Sequence, residues 1–326
     1  MIYLYFVSIA LSFVFMFKCA DWFVEGASAI ATILHIPKMV IGIVLVGLAT
    51  TAPEFAVSVI AAFLGNPEIA LGNAVGSVIC DDGVALALAA FLAPVAIFVN
   101  CRIVKIAGTF LLSIDILAYL MARNGTIGRI EGITLIFILC IYYVFIIRNR
   151  NVSFGEQASI EQNSDDDKEA SVSRKTLLKR PLFLFTVGII GVVITSRVIV
   201  WAAVNIAKHF DISEIIIGST IVAMGTSLPE ISTCITAALK GEGEIAVGDI
   251  IGADILNILW IIGMASLVRP ITVELDIINF AFPYMILIVA VMLLSMRVGC
   301  RLGKAKGILL LVLYIIYLFL TLKIFI

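Results

Sequence analysis

Ten stretches of this chain, near residues 2 to 26, 39 to 64, 69 to 93, 103 to 122, 129 to 147, 182 to 206, 214 to 240, 245 to 268, 276 to 296 and 305 to 325, are long and nearly uncharged. A helix needs about 20 apolar residues to cross a hydrocarbon core of roughly 30 Å, and these stretches meet that length. In lipid every main-chain polar group must be satisfied within the protein, so such segments have to be helices. The composition requires the same solvent: 62% of the 326 residues are hydrophobic and 14% charged, against roughly half and a quarter in soluble domains. That shortage of charge excludes a cytosolic enzyme and a disordered chain. With 22 basic residues against 23 acidic ones there is no positive excess for a nucleic acid to meet. The first stretch lacks the basic start and small-residue cleavage site of a signal peptide and reads as a retained span. The six cysteines (Cys19, Cys80, Cys101, Cys140, Cys234, Cys300) are scattered singly with no C-x-x-C spacing, and read as small core residues.

Only residues 148 to 180 look soluble. They hold Arg148, Arg150, the run Asp165 to Asp167, and Arg174, Lys175, Lys179 and Arg180, a composition that predicts a polar linker. Assigning successive loops to alternate sides puts fifteen Lys and Arg on the linker side and five on the other. The positive-inside rule therefore predicts a cytoplasmic linker and both termini outside.

Displacing the sequence by 176 residues aligns Ile30 to Pro94 with Ile206 to Pro270 without a gap, and 20 of the 65 positions are identical. Polar and turn-forming positions match as well as apolar ones: Thr50 with Thr226, Pro53-Glu54 with Pro229-Glu230, Glu68 with Glu244, and Gly72 and Gly76 with Gly248 and Gly252. The chain is an internal duplication, residues 1 to 147 forming one five-span copy and 181 to 326 the other. Five is odd, so the second copy enters the membrane in the opposite sense. The predicted fold is all-α, ten transmembrane helices in two inverted five-helix repeats, an architecture of secondary transporters.

Spans two and seven carry Thr50-Thr51-Ala52-Pro53-Glu54 and Thr226-Ser227-Leu228-Pro229-Glu230 near their midpoints. An interior proline removes a helical hydrogen bond and displaces the carbonyl four residues back, so both helices are predicted to break there. Carbonyls around Ala49, Thr50, Gly225 and Thr226 are then available as ligands. Carboxylate, hydroxyl and carbonyl oxygens, twice over, form a hard-donor set suited to Ca2+ or Na+. Spans three and eight add Asn73, Ser77 and Asp81, spaced by four on one helical face, and the equivalent Asp249, Ala253 and Asn257. The adjacent glycines thin the strip for close packing. Each mid-membrane carboxylate costs about 2.5 to 3.5 kcal/mol, so Glu54, Glu230 and Asp81 call for compensation, by a bound cation or by protonation.

The segments Gly47 to Asp81 and Ala223 to Asn257 resemble the paired α-repeats of the calcium:cation antiporters, especially the prokaryotic sodium/calcium exchangers. The family pattern G-T-S-x-P-E is intact from Gly225 to Glu230 and reads Ala49-Thr50-Thr51-Ala52-Pro53-Glu54 in the first copy. The resemblance covers all ten spans. It implies that Glu54 and Glu230 are the central Ca2+ ligands, aided by the main chain of Thr50 and Thr226, with Asp81 and Asn257 completing the middle of the site. It also implies flanking Na+ positions at Gly47, Thr50, Thr51 and Ser77 on one side and Ala223, Thr226 and Ser227 on the other, and a bundle of spans one and six that slides against the rest. The expected partners are Ca2+, Na+ and the lipid bilayer of a prokaryotic plasma membrane, with no bound cofactor and no enzymatic activity.

The chain departs from the family pattern at several positions. Ala253 stands in place of a serine, Asp254 in place of an asparagine, and Asp249 in place of the asparagine that Asn73 retains. Asn73, Asp249 and Asp254 are additional candidates, and H+ or K+ remains an alternative coupling ion. Other readings predict different chemistry. A passive channel would conduct without an opposing ion, and an intramembrane aspartyl protease would need a Tyr-Asp pair that is absent. Asp115 is expected to pair with Lys105 or Arg102 near the interface, and Asp82 has no assigned role. Asp21 and Arg197 face polar surroundings, His35 and His209 the surface, and Phe13, Phe15, Phe17, Phe183 and Phe185 the lipid.

Overall fold

The computed structural model describes residues 2–149, 167–209 and 223–325. Among these the chain is almost entirely helical. Eight helices are long and apolar enough to cross a membrane, and a ninth span is formed by the pair Lys38–Thr50 and Ala52–Phe63, bent by 45°. The described part of the seventh predicted span is Ala223–Thr226 followed by Leu228–Leu239. Its predicted start near residue 214 lies outside the described residues.

The two spans richest in small and polar residues form the centre. In the most apolar windows of Pro67–Leu92 and Gly243–Val268, 78% and 94% of residues are buried, against 17% in the first helix and in the last. A helix that is apolar or small all round can be buried on every side; the outer helices present Leu, Ile and Phe to lipid instead. Span eight crosses span two at very short range. A Cβ on Gly42 would lie 2.7 Å from the Ile245 carbonyl oxygen, and one on Gly47 3.0 Å from the Ala253 nitrogen. Gly248 and Gly252 abut the Met39 and Ile43 carbonyls in the same crossing. Span one packs likewise on span six, Gly26 against Phe185 and Gly188 against Phe23.

Pro53 and Pro229 each occupy the first turn of a new helix, after breaks at Thr51 and Ser227. Two short ribbons clasp the loops in pairs: β1 (Ile97–Phe98) with β4 (Arg301–Leu302), and β2 (Thr126–Ile127) with β3 (Ile271–Thr272). Each pair joins loops assigned to a common side by the alternation of spans. Lys38 and Glu242 (2.6 Å) and Asp21 and Lys240 (2.7 Å) pair at the linker side.

Several expectations are corrected. Cys101 and Cys300 are not core residues but form a disulfide, with Cα atoms 5.3 Å apart, because the β1–β4 ribbon draws together positions 199 residues apart. Cys140 is exposed, whereas Cys80 and Cys234 are buried as expected. Span six begins earlier than predicted: its helix runs Asp167–His209 through Pro181, so the second half of the polar segment is helical. Residues 150–166 lie outside the described residues. Asp21 does face polar groups, pairing with Lys18 and Lys240, and Arg197 is exposed, whereas Phe185 packs at a tilt against Phe23 rather than facing lipid.

Candidate ion-binding site

The two helix breaks and the midpoints of spans three and eight meet in the interior, and every polar group there except Asn73 and Thr226 is sealed from solvent. Thr50, Thr51, Glu54, Asp81, Ser227, Glu230, Asp249, Asp254 and Asn257 are all 0% exposed. Glu54 is the link between the halves. Its Oε1 accepts hydrogen bonds from Ser77 (2.7 Å) and from Ser227 of the other half (3.0 Å), and the two hydroxyl oxygens are 3.5 Å apart. A second pair of cross-links runs between equivalent positions of the two halves. The Thr50 hydroxyl lies 3.0 Å from Asp249 Oδ1, and the Thr226 hydroxyl lies 3.3 Å from Asn73 Oδ1. Asn73 in turn donates to Ser58 at 3.0 Å.

What is left unpaired is almost wholly oxygen. Glu54 Oε2, both carboxylate oxygens of Glu230 and Asp81, Asp249 Oδ2, the Thr51 hydroxyl and the Asn257 side-chain amide are buried without a hydrogen-bond partner. Buried polar atoms are ordinarily satisfied, so this inward-facing set has unused capacity for a hard cation. Among the described residues no three acidic, histidine or cysteine groups converge tightly enough to chelate one ion by themselves. A cation here would share its shell with hydroxyl, amide and main-chain oxygens.

Local geometry adds a feature that sequence patterns do not reveal. At Asp81–Leu86 and Asn257–Ile262 the helices widen to π-helical turns, each beginning on a predicted site residue and offset by the repeat of 176. π turns are concentrated at functional positions. They carry no composition signal, which is why they escape a reading of the residues alone. Gly47 serves the span-two/span-eight crossing, beside the Asp249 carbonyl. Ala223 heads the short helix before the second break, with its side chain outside the described set.

Two predictions about oxygens change. The Gly225 carbonyl released by Pro229 is not free as a ligand: the Ser196 hydroxyl of span six donates to it at 3.0 Å. Position 20, the equivalent of Ser196, is alanine, so the first copy has no such bond. Asp115 does not pair with Lys105 or Arg102. It is wholly buried with both oxygens unpartnered, because ten residues of helix put about 15 Å between it and Lys105 along the axis. Asp82, unassigned from sequence, is equally buried beside Asp254.

The sequence model of the family described as "Sodium/calcium exchanger protein" matches this chain twice, over residues 4–148 and 180–323. The chain belongs to that family. It is similar along nearly its full length to the sodium/calcium exchanger MaX1 of Methanosarcina acetivorans, 28% identical with 98% of each chain covered. The inner membrane protein YrbG of Escherichia coli is 32% identical, covering 89% of this chain and 88% of the relative. Among solved structures, the sodium-calcium exchanger NCX_Mj soaked with Na+ and Sr2+ is similar at a TM-score of 0.82 and 30% identity, with 98% of both chains covered. This exchanger-family protein is thus an antiporter of the membrane, in a family of transporters rather than enzymes.

Proposed function

We propose that the protein exchanges Ca2+ for Na+ through one midplane site exposed to each side in turn. The observation that carries the reading is Glu54: a buried carboxylate held by hydroxyls from both halves, with its second oxygen and those of Glu230 and Asp81 facing the same interior unpaired. Glu54 and Glu230 are the central ligands, with Asp81 and Asn257 between them and the main chain of Thr50 and Thr226 alongside. Na+ ions use the same oxygens together with Thr51, Ser77, Ser227, Gly47 and Ala223, while Asn73 and Asp249 hold the two threonines in place. Sharing couples the ions, because Ca2+ and several Na+ cannot occupy one set of charges together. The names of MaX1 and NCX_Mj, both sodium/calcium exchangers, support the same ion pair.

The architecture proposed for this cycle is ten spans in two inverted repeats, residues 1 to 147 and 181 to 326, with helices two and seven broken. Spans one and six, packed closely on each other, slide as a unit, with the Ser196 to Gly225 bond coupling that unit to the second break. In proteoliposomes, an outward Na+ gradient is expected to drive 45Ca2+ accumulation, while K+ or H+ gradients alone do not. Accumulation driven by H+ would replace Na+ as the coupling ion, and Ca2+ flux with no opposing ion would replace exchange by a channel.

The linker side is proposed to be cytoplasmic, both termini lying outside. Cys101 and Cys300, joined by a disulfide in the structure, lie on that side, whereas cytosolic thiols are kept reduced, so the bond tests the orientation. A cytoplasmic linker side requires both thiols to be reduced in the cell and modified by a maleimide reagent on lysis without reductant. Protection of both, released by a reductant, would put this side outside and reverse the orientation.

A further inference from the structure

Beside the central site lies a group of carboxylates that the exchange cycle above does not use. Asp82 follows Asp81 in the π-helical turn of span three, Asp254 lies on span eight, and Asp115 comes from span four. All three are 0% exposed, and none of their six carboxylate oxygens has a hydrogen-bond partner. Asp82, Asp254 and Asp115 lie close enough to act on one another electrostatically. The other charged groups facing them are Asp81 and Glu54, also acidic. No described ion pair brings a lysine or arginine to any of the three.

Three uncompensated carboxylates in hydrocarbon would cost several kcal/mol, and opposed carboxylates repel more strongly the drier the site. Interior acids of membrane proteins are therefore matched by a partner, and among the described residues no lysine or arginine supplies one. The donors are hard oxygens, which favour alkali and alkaline-earth ions over soft metals. Because no three acidic side chains among the described residues converge on one point, the arrangement suits a singly charged ion shared by two carboxylates and main-chain oxygen. Asp82 itself sits in the π-helical turn at Asp81–Leu86, and such turns are concentrated at functional positions.

We propose that Asp82 and Asp254, with Asp115 behind them, form a second cation station that holds one Na+ next to the central site. The inference rests on the reading of this chain as a cation exchanger, and adds to it a bound ion outside the Glu54 and Glu230 set. It also gives Asp254, which stands where the family pattern has an asparagine, a partner on span three.

The test is equilibrium 22Na+ binding to the purified full-length protein in Ca2+-free detergent solution. Glu54→Gln/Glu230→Gln removes the central charges and is expected to leave one Na+ per molecule. Adding Asp82→Asn and Asp115→Asn is expected to abolish that remaining ion, and Asp115→Asn alone, the mildest change, to weaken it at least tenfold. A central double variant that binds no Na+, or a quadruple variant that still binds one, overturns the proposal; the first result means that the three acids are simply protonated. Gel filtration checks that each variant is folded. 45Ca2+ binding, read in parallel, separates the two ideas: its survival in Glu54→Gln/Glu230→Gln defeats the central site while leaving the 22Na+ result on the Asp82 group to be judged by itself.

Discussion

Glu54→Gln and Glu230→Gln are each expected to reduce Na+-driven 45Ca2+ uptake into proteoliposomes by about 100-fold or more, a loss of roughly 2.7 kcal/mol or greater in stabilisation of the bound ion. Glutamine keeps the size of the side chain, and at position 54 its carbonyl oxygen still accepts from Ser77 and Ser227. What disappears is one negative charge in a dry site, where a charge interacts several times more strongly than in water. The loss falls on Ca2+ more heavily than on Na+, because the divalent ion relies on more of the balancing charge. Folding is expected to survive, since an amide is less costly in hydrocarbon than a carboxylate. Wild-type uptake by both variants would remove the basis for the proposed cycle.

The second large effect is structural. Gly252→Val is expected to destabilise the protein by about 3 kcal/mol or more, at the upper end of what overpacking usually costs, with Gly252→Ala intermediate. The added carbon meets the Ile43 carbonyl and Cα of span two, main-chain atoms that cannot rotate aside as a side chain can. Span two must then retreat, carrying Thr50 away from Asp249 and moving the break that positions Glu54. The midpoint of thermal unfolding in detergent measures the first consequence and 45Ca2+ uptake the second. A variant that keeps both at wild-type levels would show that the crossing tolerates a side chain and does not set the geometry of the site.

How much of this was legible beforehand varies with the kind of interaction. Helix positions were readable where an apolar run ends at a polar residue: the runs at 103 to 122 and 129 to 147 correspond to Cys101–Ala122 and Arg129–Asn149. The repeat also transfers local geometry faithfully. Gly65 and Gly241, related by the offset of 176, both take left-handed φ values, +100° and +75°, in the turns that follow the broken helices. Legibility fails where composition and conformation part company. The polar stretch from Asp167 to Arg180 is helical, because it continues a long apolar helix whose ladder is already nucleated. It fails again where the partner is remote, as with Cys101 and Cys300, or with Asp115, whose nearest basic residues in sequence lie along the helix axis rather than beside it.

The residues alone determined the solvent, the duplication, the places where two helices must break, and which acids could not stay in lipid unaccompanied. These follow from transfer free energies, backbone sterics and chain periodicity, all of which act over a few residues. Only the tertiary structure decided that Glu54 is held by serines of both halves, that Ser196 captures the Gly225 carbonyl, and that Asp82, Asp115 and Asp254 share one interior. Those outcomes depend on how close two helices approach, a distance set by the glycines of the span-two/span-eight crossing together with everything packed behind them.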